Sequence, residues 1–203
     1  MVPERIWLET EKTLKHSRFD QYFKTLIEIN ALDQIYPDLA GLEKDFFSNI
    51  IFQQASQDMV STRYRFAAIF YALLIEENSD IKKIIESMQK SMNFPNSFKE
   101  IPLLLHNSFS LIDKNISEYN PEHILTIIEK LNALKKPENL NIIFQLIHMD
   151  LDKNFNDKKE LLEKSLTSAL SIQITNIEEE GLQGNDIGLK LRELRLNKIQ
   201  ESL

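Results

Sequence analysis

The sequence predicts an all-α protein, and three observations carry that prediction. Apolar residues recur in three- and four-residue steps along most of the 203-residue chain. Four glycines and six prolines leave little material for hairpins or glycine-rich loops. The segment RYRFAAIFYALL, Arg63 to Leu74, sets Phe66, Ile69, Phe70, Leu73 and Leu74 at helical spacing, with Ala67, Ala68 and Ala72 on the remaining faces. No charge lies between Arg65 and Glu76. A helix apolar nearly all round needs cover on most sides, so the flanking segments should wrap it as amphipathic helices.

Taken in order, Pro3 can sit in the first turn of a helix with Ile6, Trp7 and Leu14 inward, ending near His16. Ser17 can cap the next, whose buried face is Phe19, Tyr22, Phe23, Leu26, Ile27 and Leu32, before Pro37 stops it and PDLAGL turns. Phe46, Phe47, Ile50, Ile51 and Met59 continue the core on a further helix, and Ser61 or Thr62 can cap the central one. A helix from Asn78 to Lys90 points Ile81, Ile84, Ile85 and Met88 inward, after which Pro95 and Pro102 should leave short pieces.

Asn120, Pro121 and Glu122 form a helix start: a side-chain cap, a proline that costs no hydrogen bond and an acid at the positive end of the dipole. Ile124, Leu125, Ile127, Ile128, Leu131 and Leu134 follow on one face. Pro137 opens another helix with Leu140, Ile143, Phe144 and Ile147 inward. The polar run from Met149 to Lys159 is expected to break the pattern. Leu161 to Ile172 is helical, EEEGLQGND turns, and the last helix runs from about Asp186 towards Leu203. Solenoid repeats and low-complexity tracts are absent from the sequence.

Composition narrows the function classes. With no cysteine, disulfides, thiolate metal sites and cysteine nucleophiles are excluded, as suits a reducing compartment. No apolar run approaches the roughly 20 residues that span a bilayer, and MVPERIW carries charge where a signal peptide needs an apolar stretch, so no membrane association and a cytoplasmic location are expected. The net charge of −7 argues against a protein that coats nucleic acid broadly. The distribution is uneven. Residues 31–60 have one Lys against five acids and 141–181 four against eight, whereas 182–203 carry Lys190, Arg192, Arg195 and Lys198 against three acids.

Few residues offer chemistry. GLQGNDIG reads as an anion site at a helix start or as a turn capping the last helix, with Gly188 allowing close helix packing; Glu178 to Glu180 and Asp186 favour the turn. His148 and Asp150, two apart, point to nearly opposite sides of a helix. His106 and Asp113 can share a face but are too few for a catalytic metal. Lys190, Arg192, Arg195 and Lys198 read either as RNA phosphate contacts or as the solvated face of a helix built on Ile187, Leu191, Leu194 and Ile199, and spacing alone favours the solvated face.

Both ends of the chain carry a resemblance. PERIWLETEKTL and the FDQYFKTLIEINALDQIYPDLAGL that follows resemble the neck-to-body region of bacterial CCA-adding tRNA nucleotidyltransferases and the related poly(A) polymerases. GLQGNDIGLKLRELRLNKI resembles the closing motif of that family, and FPNSFKEIPLLLHNSF looks like the helix that in many members follows the metal region. The resemblance implies the end of a neck and its junction over residues 1–36, a helical body over 37–150 and a helical tail over 151–203. It implies no counterpart here of the catalytic head, an α/β domain whose paired aspartates hold magnesium and which uses ATP and CTP. The chain would then hold the acceptor and elbow region of tRNA for such a head, covalent or separate, contributing positioning rather than chemistry.

The resemblance makes Lys190, Arg192, Arg195 and Lys198 the first candidates for phosphate contacts, with Arg5, Arg63 and Arg65 next; Arg5 can equally pair with Glu9 as a structural i, i+4 link. Many family members carry an HD phosphohydrolase site in the body. Here Tyr71 and Ala72 stand at its His-Asp pair, Phe109 and Asp113 stand where histidines align, and only Asp150 matches. The resemblance therefore implies a degenerate HD domain with neither bound metal nor phosphohydrolase activity. Two rivals remain: a helical protein-interaction module that never touches RNA, and a phosphohydrolase with a remodelled metal site.

Overall fold

The structure, a computed structural model, describes residues 2–48, 50–56, 61–77, 80–147, 154–173 and 185–203. The described residues are helical with no strand among them, and the all-α class is as the sequence predicts. The chain forms two compact units, residues 1–106 with 145–149, and residues 107–144 with 150–203. The boundary falls inside α7 (Glu100–Ile112) and again inside α9 (Glu138–Ile147).

The first unit contains α1 (Pro3–Leu14), α2 (Phe19–Glu28), α3 (Leu32–Ile35), α4 (Ile50–Ala55), α5 (Thr62–Glu77) and α6 (Ile81–Met92), with 3-10 turns at Pro37–Leu39, Phe46–Ser48 and Asn96–Phe98. It is built around α5. Every residue from Phe66 to Leu73 is at most 3% exposed, because α1, α4, α6 and the Asn96–Phe98 turn all pack on it. Trp7 meets Phe66 and Phe98 edge-on, with ring centroids 5.8 and 4.6 Å apart, an arrangement that aligns positive ring edges with negative faces. A second aromatic group stacks Phe23 on Phe47 at 4.9 Å.

A buried hydroxyl chain joins three segments of this unit. Thr10 donates its one proton to the Ile6 carbonyl at 2.7 Å. The 2.6 Å contact between Thr10 and Tyr36 must therefore be donated by Tyr36, and Tyr22 in turn donates to Tyr36 at 3.2 Å. Burial pushes the Tyr36 phenol well above its usual range, so it stays protonated and able to donate.

The second unit contains the end of α7, a 3-10 turn at Ile116–Glu118, α8 (Pro121–Lys130), most of α9, α10 (Phe155–Leu170) and α11 (Asn185–Ser202). Ile124, Leu125, Ile127 and Ile128 of α8 are fully buried, and α10 and α11 pack on α8 and on each other through Leu162, Leu166, Ala169, Leu191 and Ile199. Asn120 caps α8 as the sequence predicts, its Oδ1 accepting the His123 backbone N–H at 2.9 Å.

Several boundaries differ from expectation. Ser17 does not cap α2; Arg18 occupies the N-cap position without a side-chain bond. Ser61, not Thr62, caps α5, accepting from Tyr64 N at 3.2 Å, and Asp80 caps α6, accepting from Lys83 N. The segment beginning at Phe46 is not one helix but a 3-10 turn followed by α4, and Met59 lies outside the described residues. Pro102 breaks nothing: it is the third residue of α7, where its missing N–H has no helical partner to lose. Helix α10 starts at Phe155, inside the stretch expected to be a loop. Helices α2, α6 and α8 are each followed or capped by an asparagine in the left-handed region, Asn30, Asn93 and Asn132, which serves where glycine is scarce. The EEEGLQGND turn lies largely outside the described residues. Gly188 is within them, and a Cβ there would meet nothing within 4 Å, so close packing is not its role.

Candidate nucleic-acid interface

Helix α11 carries the four leading cations, and each has a distinct setting. Lys190 reaches Glu193 at 3.3 Å and Lys198 reaches Glu201 at 2.7 Å, both one turn along the same helix. Arg192 crosses to α8. Its two terminal nitrogens bond the Glu122 carboxylate at 2.6 and 3.1 Å, and its Nε lies 3.3 Å from Glu129. That fork is the strongest charge-assisted arrangement the two side chains can make. The hydrogen bond from Arg192 holds the Glu122 carboxyl below its usual range, and Glu122 raises the guanidinium in turn. Arg195 is half-buried, and its Nε has no hydrogen-bond partner among the described residues.

The three candidate arginines of the first unit divide sharply. Arg5 is exposed on α1, while Glu9, its expected partner, takes Lys12 at 2.9 Å. Arg63 is half-exposed, 3.7 Å from Glu100. Arg65 is 3% exposed. Its Nε donates to the Ala55 carbonyl and a terminal nitrogen to the Leu14 carbonyl, both at 2.9 Å. Those carbonyls end α4 and α1, where the helix dipole is negative and backbone acceptors lack partners. Arg65 is therefore corrected from a phosphate candidate to an internal cap, because no phosphate can reach it in this fold.

The positions aligned with the HD site lie in different surroundings. Tyr71 and Ala72 are wholly buried on α5, with the Tyr71 hydroxyl 3.4 Å from the Ile147 carbonyl. Phe109 is half-buried and Asp113 exposed in the second unit, and Asp150 and His148 lie outside the described residues. No cluster of three or more His, Asp or Glu side chains able to hold a metal occurs among the described residues. His123 bonds the Leu111 carbonyl through Nε2 at 2.9 Å and lies against Tyr119.

Two features go beyond the sequence reading, in which Glu122 figures only as a first-turn acid. Glu122 and Glu129 are the partners of Arg192, and Lys130, Lys135 and Lys136 stand exposed at the corner between α8 and α9. The run KLNALKK held the second signal, a basic stretch between two helices.

Among the described residues the scaffold is all-helical, and the cations of α11 stand among acids, Lys190, Arg192 and Lys198 each facing a carboxylate. No helix among the described residues is long and apolar enough to cross a membrane. The sequence is similar over its full length to CCA-adding enzymes. It is 24% identical to the multifunctional CCA protein of Aliivibrio salmonicida, aligning all of this chain with 57% of that protein. It is 25% identical to the CCA-adding enzyme of Buchnera aphidicola from Schizaphis graminum, over 98% of this chain and 55% of the enzyme, and 26% identical to the multifunctional CCA protein of Pasteurella multocida, over 100% and 56%. The chain thus spans just over half the length of these relatives, and the match is to their C-terminal half. No family model matches the chain, and no solved structure matches it.

Proposed function

We propose that this chain is the tRNA-holding, non-catalytic C-terminal region of a tRNA nucleotidyltransferase, working in the cytoplasm beside a head domain that adds the CCA end. The observation that supports this most is the full-length similarity to CCA-adding enzymes confined to their C-terminal half. The helical build supports it too: rigid helices position a large substrate while the reacting groups, magnesium, ATP and CTP belong to the head.

In this reading Lys190, Arg195 and Lys198 face the acceptor and elbow region of tRNA, with Arg5 and Arg63 outlying. Arg192 sets α11 against α8 through Glu122 and Glu129. Tyr71 and Ala72, packed in the core of the first unit, take the place of a metal pair, which supports a body without hydrolase chemistry.

The test is an extension assay. Incubated with a tRNA lacking its 3′ end, magnesium, CTP and ATP, the chain alone should retard the tRNA on a native gel and add no nucleotide. Nucleotide addition by the chain alone would contradict the non-catalytic assignment, and a negative gel at low salt would favour a protein-interaction module.

A further inference from the structure

We propose that Glu122 is a positioning residue for RNA binding by the second unit: an acid whose removal weakens the hold on a polyanion, because through Arg192 it fixes the bearing of α11. The inference rests on the tRNA-holding reading and names the residue of α8 on which that hold depends.

Helix α11 has few other anchors. Of its 18 residues only Leu191 and Ile199 are buried. Gly188 adds no side chain, and the space around it is open. Two apolar side chains press the helix onto its neighbours, but apolar burial is non-directional and sets the rotation of a helix about its own axis only loosely. The Arg192 fork supplies the missing direction. Its terminal nitrogens bond the two oxygens of Glu122 at 2.6 and 3.1 Å, and its Nε lies 3.3 Å from Glu129. A planar guanidinium held by two carboxylates of α8 admits one orientation of the helix that carries it. Lys190, Arg195 and Lys198 all lie within six residues of Arg192 on that helix, so a rotation at the fork swings all three.

The acids of α11 itself have a different standing. Glu193 and Glu201 bond Lys190 and Lys198 one turn along the same helix, and their side chains are 59% and 64% exposed. Such pairs are screened by solvent, tie α11 to nothing else and give way to a phosphate. Glu122 is as exposed as they are, at 60%, so its charge opposes an approaching polyanion in the same way. What sets it apart is the helix it belongs to. By charge alone, removing any one of these acids tightens RNA binding. Positioning through Arg192 reverses that sign at Glu122 and leaves it unchanged at Glu193 and Glu201.

The experiment titrates a fluorescently labelled tRNA transcript with the full 203-residue chain by anisotropy at low salt. It compares the unsubstituted chain with Glu122→Gln, Arg192→Gln, their double variant and Glu193→Gln/Glu201→Gln, at a temperature where circular dichroism shows all of them folded alike. Glutamine at 122 keeps one acceptor but ends the two-pronged bond. Glu122→Gln should bind about threefold or more weakly, and the double variant no more weakly than Arg192→Gln, the non-additivity of two side chains that act as one contact. Glu193→Gln/Glu201→Gln should bind more tightly than the unsubstituted chain. Equal or tighter binding by Glu122→Gln, full additivity in the double variant, or an equal loss in Glu193→Gln/Glu201→Gln would overturn the positioning role and leave the tRNA reading standing. Failure of the unsubstituted chain to bind tRNA would overturn both.

Discussion

Arg192 of α11 grips Glu122 of α8 through two hydrogen bonds of 2.6 and 3.1 Å, across 70 residues of sequence. A residue that reads in the sequence as a phosphate contact is, in the fold, the clasp that seats α11 on α8. The seating of α11 on α8 therefore depends on a carboxylate as well as on a cation.

That clasp should be sensitive to acid. Its folded-state carboxyl ionises at a lower pH than the ordinary value of 4.5, so the pair contributes fully above that value and its contribution is lost as pH falls through the lowered one. Both side chains are partly solvated, which limits the effect to at most about 1 kcal/mol. Thermal melts of the unsubstituted chain and of Glu122→Gln should differ at pH 7 and converge as pH falls towards 3.

Arg65 caps two helix ends from inside the core, and removing it leaves both carbonyls buried without that donor. Arg65→Met should lower stability by about 2–4 kcal/mol, read as a drop in urea midpoint at unchanged slope. Its effect on tRNA affinity per folded molecule should be negligible, whereas a phosphate contact would show the reverse pattern.

Gly188 lies in α11 with open space around it. Gly188→Ala should stabilise the chain by about 0.5–1 kcal/mol, since alanine restricts the unfolded chain and meets no neighbour. A rise in melting temperature of about 1–4 °C is expected. A fall would mean that glycine answers a need for close approach after all.

The legible parts of this fold were those set by local pattern. Helix α5 is apolar all round and had to be buried, and Asn120-Pro121-Glu122 declares the start of α8 within three residues. The start of α10 was obscured because Phe155 to Lys159 is mostly polar, and a polar first turn resembles a loop until the helix behind it is seen. The role of Arg65 is hidden in the sequence for a different reason. An arginine at the edge of an apolar run ordinarily marks solvent, and only the fold brings the ends of α1 and α4 to it. The pairing of Arg192 with Glu122 is equally non-local, so spacing on α11 alone could not distinguish a clasp from a contact surface.

The most direct test of the central claim measures binding of this chain to tRNA against a single-stranded RNA of equal length, by anisotropy at low and moderate salt. A surface that holds the folded acceptor and elbow region should prefer tRNA by about tenfold or more at each salt concentration, with both affinities falling as salt rises. Equal affinity for the two RNAs, or no binding of tRNA at low salt, would contradict the account.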